Sequence, residues 1–317
     1  IYCAGAISQL LSDGIATEET NNVIQFVLNN LNCTEEKSLF NLCSVILPIF
    51  ESIGEERSNI IFNSFVENVK KTENEEYLTA WMTCLSKFVK HYNINEDSVN
   101  SVVALIMSGE LKIYHGTLPH ITMPPIVAPF NFLRQFVKKY PSKAAPICTQ
   151  IIEWLKFTPY TSMPTLLLPL IAGLESGCLD ENHAKPLTSI LKSFLTKLDF
   201  GDADPLASVC TALNSLYQFY KQVMSPIVDF LSPLENFAKE CYTKSNNDDD
   251  DIVQEELVEA MPAVASFTFN VYANDDEVKV IPDLINPLLY LMPFHPQVEE
   301  VPEILTNICS MLENKER

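Results

Sequence analysis

The chain has 317 residues, 47% of them apolar and 20% charged, a globular composition that excludes wholesale disorder. Its net charge is −20, from 41 acidic against 21 basic residues, and Arg57, Arg134 and Arg317 are its three arginines. Nucleic acid and anionic membrane both call for a basic face, so neither is the expected partner; a basic protein is the natural complement, and a charge of this size serves solubility equally well.

Glycine is scarce, with 8 residues, and proline is plentiful, with 20. Prolines stand inside apolar runs, as in Leu47-Pro48-Ile49, Leu168-Pro169-Leu170 and Met261-Pro262-Ala263. Proline fits a first helical turn and kinks a helix farther in, so short, kinked, stacked helices are expected. No apolar run reaches the ~18 residues of a membrane span, and the longest, Met163 to Ala172, carries two prolines. The first residue is Ile1, which reads as a segment of a longer chain.

Apolar residues at i, i+3, i+4 and i+7 predict helices of two alternating kinds. In chain order, with the first kind (A) leading each pair, they span 17–32 and 35–53, 55–71 and 73–91, 95–109 and 124–140, 143–156 and 161–177, 180–198 and 203–221, 225–242 and 252–271, then 277–291 and 297–313. Ile1 to Asp13 is a further half-pair. Successive A helices begin 37 to 52 residues apart, which brackets the period of roughly 40–47 residues of HEAT or armadillo units. A single helix pair cannot bury its own apolar faces, so pairs must stack on one another. The expected fold is all-α, an α-solenoid of about seven antiparallel HEAT-type pairs forming one segment over 1–317. Two connections break the rhythm: Glu110 to Pro124, and the polar insert Ser245 to Asp251.

Acidic residues gather where the second (B) helix of a pair begins. Glu35 and Glu36 stand at one such start, and Glu73, Glu75 and Glu76 at the next. Asp202 and Asp204, then Asp248, Asp249, Asp250 and Asp251 with Glu255 and Glu256, and finally Glu299 and Glu300 occupy later ones. The helix dipole stabilises one or two carboxylates per start by roughly 0.3–1 kcal/mol each. Four consecutive aspartates exceed that need and repel one another unless a positive group is near, which leaves two readings, a solvated rim or an acidic ridge that meets a cationic partner.

Catalytic constellations are absent from the sequence. There is no glycine-rich phosphate loop, nucleophile elbow or kinase-like motif, and the five histidines (His91, His115, His120, His183 and His295) lack metal-ligand spacing. No cofactor or metal is expected. The nine cysteines are scattered singly, without a CxxC pair, which suits small buried hydrophobes in a reducing compartment. Trp81 and Trp154 sit on apolar helix faces and are expected in the core.

Four stretches carry a family resemblance. Asp251 to Pro262 resembles the HEAT pattern of an acidic turn, a valine and spaced apolar residues. Glu175-Ser176-Gly177-Cys178-Leu179-Asp180-Glu181-Asn182-His183 with Leu187 to Leu198, then Ser215 to Lys221 with Pro226 to Leu234, resemble successive repeats of importin-β (karyopherin-β) receptors. Leu288 to Phe294, followed by Val298-Glu299-Glu300 and Asn307 to Glu313, is similar to a late repeat. The resemblance implies a C-terminal part of a HEAT solenoid that shuttles between cytoplasm and nucleus. It also implies a receptor that is not an enzyme. Such receptors carry basic cargo, including ribosomal proteins and histones, past the nucleoporins, and Ran-GTP releases it. It further implies that B helices line the concave face, where acidic residues meet cargo signals. A constitutive HEAT scaffold for a multiprotein complex is the alternative.

Overall fold

The computed structural model describes residues 17–33, 35–115, 117–118, 125–198, 203–245, 251–275, 278 and 301–315, and among them there is no strand. The helices are α1 (Thr17–Asn30), α2 (Glu36–Ile49), α3 (Glu55–Val69), α4 (Glu75–His91), α5 (Glu96–Ser108), α6 (Val127–Lys139) and α7 (Pro141–Leu155). They continue with α8 (Met163–Glu175), α9 (Glu181–Leu195), α10 (Ala203–Tyr220), α11 (Val228–Ser245), α12 (Asp251–Asn274) and α13 (Val301–Lys315). The expected half-pair at 1–13, all but Val278 of the A helix at 277–291, and most of the insert before α12 lie outside the described residues. By contact density the chain divides into two units, residues 1–147 and 148–317.

In the first unit each helix packs on its next-but-one neighbour, giving two layers: α1, α3 and α5 in one, α2, α4 and α6 in the other. Helix α4 shows how the sequence builds this. Asn74 caps it, its side chain accepting from the Tyr77 N–H at 3.1 Å, and Leu78, Trp81, Met82, Leu85, Phe88 and Val89 form a fully buried stripe at helical spacing. Each such side chain contributes about 1.5–3 kcal/mol through burial. Thr79, Thr83, Lys87 and Lys90 face solvent.

Rings fix the direction of the second layer. Phe40 of α2 meets Tyr77 of α4 with centroids 5.1 Å apart near their starts, and Phe50, just past α2, meets Phe88 at 4.8 Å near the end of α4. The two helices are therefore parallel, with their N-termini side by side. Helix α6 follows suit: the Lys139 ammonium in its last turn donates to the carbonyls of Val89 (2.7 Å) and Tyr92 at the C-terminal end of α4. A cation there also answers the negative end of the α4 dipole.

The first layer is joined by polar side chains. Arg57 donates to Asn21 (3.2 Å), and Asn59 accepts from the backbone N–H of Asn95 (2.7 Å), each pair 36 residues apart. A nearly constant separation is what stacked repeats of one size produce.

The second unit repeats the arrangement, with α8, α10, α12 and α13 packed in sequence and α9 on α11. Helix α8 has ten buried residues and is apolar all round, as a helix enclosed by neighbours must be. In α12 the stretch from Ala260 to Phe269 is likewise buried. Asn214 donates to the Ser266 hydroxyl at 3.5 Å and Lys221, just past α10, donates to the Asn274 carbonyl at the end of α12 at 3.5 Å, so α10 and α12 also run parallel. Lys192 of α9 pairs with Asp229 of α11, 37 residues on. Both units thus have solenoid-like packing. No helix among the described residues is long and apolar enough to cross a membrane.

Candidate functional site

Parallel B helices bring their N-termini to one edge, and in the first unit that edge collects carboxylates. Glu35, at the cap of α2, and Glu73, Glu75 and Glu76, at the start of α4, are exposed, and Glu36 is half-buried. Glu35 accepts from the Ser38 hydroxyl at 2.7 Å and Glu73 pairs with Lys112 at 2.7 Å. That hydrogen bond and the lysine charge hold the Glu73 carboxyl below its usual range. Lys112 lies on a single 3-10 turn, Lys112–Tyr114, anchored by the buried Tyr114 ring. Burial raises the Tyr114 phenol well above its ordinary value, and the Glu75 charge adds to the shift.

Within the first unit the edge is bounded, since α6 begins at Val127 with no acidic residue in its first turn. In the second unit Asp204 falls in the first turn of α10, Asp251 opens α12, and Glu255 and Glu256 follow within its first two turns. Asp202, Asp248, Asp249, Asp250, Glu299 and Glu300 lie outside the described residues.

A helices have acidic starts too. In the first unit Glu55 and Glu56 open α3 and Glu96 and Asp97 open α5, and in the second unit Glu181 opens α9. Several of these are engaged: Glu55 accepts from Asn93 at 2.7 Å, Glu96 pairs with Lys143, and Glu181 pairs with Lys185 at 2.7 Å. The acidic dressing is therefore a property of helix starts in both layers. What distinguishes the α2–α4 edge is the gathering of carboxylates from two parallel helices. Chemically this arrangement offers an array of anions to a polycation.

Trp81 and Trp154 both lie in the core, at 0% and 6% exposure, so neither presents an anchor to a peptide. Among the described residues no group of three or more His, Cys, Asp or Glu side chains could hold a metal ion. Comparison of the chain with protein-family models, with curated proteins and with solved structures returns no match.

Sequence spacing missed two meetings of cysteines. Cys43 and Cys84, both in the core between α2 and α4, hydrogen-bond through their thiols, and burial first and that bond second push Cys43 up. Cys148 and Cys178, 30 residues apart, meet in the same way in the second unit. The cysteines are thus not all solitary hydrophobes. The one sequence cue near the second pair is that Gly173 and Gly177, in a glycine-poor chain, stand five residues and one residue before Cys178.

Proposed function

We propose that this chain is the cargo-binding part of a nuclear transport receptor of the importin-β type, a non-enzymatic α-solenoid of HEAT-type pairs. It captures Lys/Arg-rich segments of cargo proteins on its acidic edges. The carrying observation is the set of carboxylates at the parallel starts of α2 and α4, exposed at Glu35, Glu75 and Glu76 and not consumed by core formation. The resemblance of Glu175 to Leu198 and of Ser215 to Leu234 to importin-β repeats supports the transport role. In this reading cargo is held by solvent-exposed ion pairs, and Ran-GTP acting on the whole receptor flexes the helix stack and releases it into the nucleus.

Exposed ion pairs contribute about 0.2–1 kcal/mol each and are screened by salt. Neutralising Glu35, Glu36, Glu75 and Glu76 together to Gln is expected to cost about 2 kcal/mol, some thirtyfold in Kd for a labelled Lys/Arg-rich peptide. Wild-type affinity measured by fluorescence anisotropy falls steeply as salt rises. Salt-insensitive binding, or equal affinity of the fourfold variant, contradicts the proposal.

One observation favours a second reading, a constitutive scaffold. Phe157 is 82% exposed beside a groove of about 870 Å³ lined by Tyr160, Met163, Pro186 and Ile190, an apolar surface suited to a lasting partner. Ran-GTP separates the two: it releases partners from the full-length receptor and leaves a scaffold's partners in place.

A further inference from the structure

The turn between α8 and α9 is built to present one sulfur to another. Helix α8 ends in a Schellman motif: the Cys178 N–H donates to the Gly173 carbonyl at 3.1 Å and the Gly177 N–H to the Leu174 carbonyl at 3.1 Å. Gly177 sits at φ 68°, the left-handed position that the motif requires. Cys178 is thereby folded back over the last turn of α8. Gly173 leaves the space the sulfur of α7 occupies, since a Cβ there would stand 3.2 Å from Cys148 Sγ and 3.0 Å from Leu179 Cγ.

Cys148 is fully buried and Cys178 half-buried, so Cys178 is the residue of the two that solvent reaches. The groups around Cys178 come from three elements. Ser176 hydrogen-bonds to its sulfur. His183, in the first turn of α9, is held with Nδ1 2.6 Å from Asp180 Oδ1 and Nε2 2.9 Å from Thr149 Oγ1 of α7. Tyr220, at the end of α10, donates its hydroxyl to the Leu179 carbonyl and lies close enough for the Cys178 and Asp180 charges, after burial, to push its phenol up.

We propose that Cys178 and Cys148 are a reversible oxidation site, with Cys178 the residue attacked by a peroxide and Cys148 the thiol that resolves it to an intrachain disulfide. The Cys178 thiolate takes one oxygen from the peroxide. The O–O bond breaks, the sulfur loses two electrons, and hydroxide, or an alcohol from an organic peroxide, departs. Cys148 then attacks the Cys178 sulfenic acid. The S–S bond forms, the S–O bond breaks, and the Cys148 proton leaves with the oxygen as water. A small dithiol reductant restores both thiols by exchange. The hydrogen bond from the Cys148 thiol, with Ser176, the local backbone and the His183 charge, brings Cys178 down to about 6, while the same bond and burial push Cys148 up. The attacking sulfur is thus ionised near neutrality and the resolving one remains a thiol until the sulfenic acid forms.

The test uses the whole reduced chain. Substoichiometric hydrogen peroxide near neutral pH, followed by alkylation and peptide mass analysis, is expected to give a Cys148–Cys178 linked peptide before the exposed Cys309 is oxidised. In C148S the Cys178 sulfenic acid persists and is trapped by dimedone. Alkylation of Cys178 by iodoacetamide at pH 6 is expected to run about tenfold faster than that of an ordinary thiol near 8.5, its larger thiolate fraction outweighing its lower nucleophilicity. H183Q is expected to slow both reactions severalfold. If Cys309 is oxidised while Cys148 and Cys178 remain free in the wild-type chain, the proposal fails whatever the variants do.

Discussion

Gly109 allows backbone strain and steric overlap to be separated at one position. It ends α5 with φ 74° and ψ 17°, and a Cβ built on it would stand 2.4 Å from the Thr117 carbonyl oxygen and 3.1 Å from its carbon. Thr117 cannot easily yield, because its N–H (2.9 Å) and its hydroxyl (2.5 Å) both donate to the Tyr114 carbonyl, and Tyr114 is 2% exposed. An L residue in the left-handed region costs about 1–2 kcal/mol, and alanine recovers about 0.4–1 kcal/mol by restricting the unfolded chain. Overlap with fixed atoms adds about 1–3 kcal/mol. G109A should therefore lose about 2–4 kcal/mol in urea unfolding followed by circular dichroism. Gly177, at φ 68° with nothing within 4 Å of its Cβ position, is the reference, and G177A should lose about 0.5–1.5 kcal/mol. Asparagine tolerates the left-handed region better than alanine but carries the same Cβ. G177N is therefore expected to recover most of the alanine loss, whereas G109N recovers only the backbone share and keeps the overlap loss. Near-complete recovery in G109N, or a G109A loss below about 1 kcal/mol, would refute the overlap argument. The same turn places Lys112 on Glu73, so G109A should also let the Glu73 carboxyl titrate higher.

Three other outcomes follow from single contacts. In K112Q the Glu73 carboxyl rises toward its ordinary range by side-chain NMR; because a depressed carboxyl stabilises above its unfolded pKa and loses that contribution as pH falls through its folded value, the wild type should lose more stability on acidification than K112Q does. K139M removes the donor to the Val89 and Tyr92 carbonyls and should cost about 1–2 kcal/mol in urea unfolding, with no change if the α4 terminus is satisfied by water alone. Closing the ring between Cys148 and Cys178 should raise stability by roughly 3–4 kcal/mol through the restricted unfolded chain, and an unchanged urea midpoint on oxidation contradicts this expectation.

Much of the helical frame is legible in the sequence because each helix carries its own periodicity and its own punctuation. The stretch 73–91 holds the cap Asn74 at its start, and α4 spans Glu75–His91; the stretch 124–140 opens on Pro124 and Pro125, and α6 spans Val127–Lys139. Boundaries drift where the end signal is weak, as in α12, which runs on to Asn274 past the expected 271. The candidate site is less legible. Acidic helix starts can be read directly, but which starts share an edge depends on direction, and that is fixed by Phe40 on Tyr77 and by Lys139 on the end of α4, contacts 37 and about 50 residues apart in sequence. The Cys148–Cys178 meeting is set by a Schellman turn and by the missing side chain of Gly173, and neither leaves a spacing motif behind.

The acidic starts carry two physical roles whose magnitudes differ. A carboxylate in a first turn stabilises its own helix by about 0.3–1 kcal/mol, and that contribution does not require a partner. Glu55 and Glu96 illustrate it on the A helices, where neighbours Asn93 and Lys143 already engage them. At the α2–α4 edge the anions are mutually close, so each one raises the cost of the next unless a cation is shared among them. Lys112 is such a cation, but it reaches Glu73 at 2.7 Å, and both side chains remain more than half exposed. An arriving lysine or arginine must compete with Lys112 for Glu73 but meets no such rival at Glu75 and Glu76 within the ion pairs of that turn. The affinity of the edge for a polycation therefore rests mainly on Glu75 and Glu76 with Glu35 and Glu36 beside them, and Glu73 serves chiefly to hold the Lys112 turn in place.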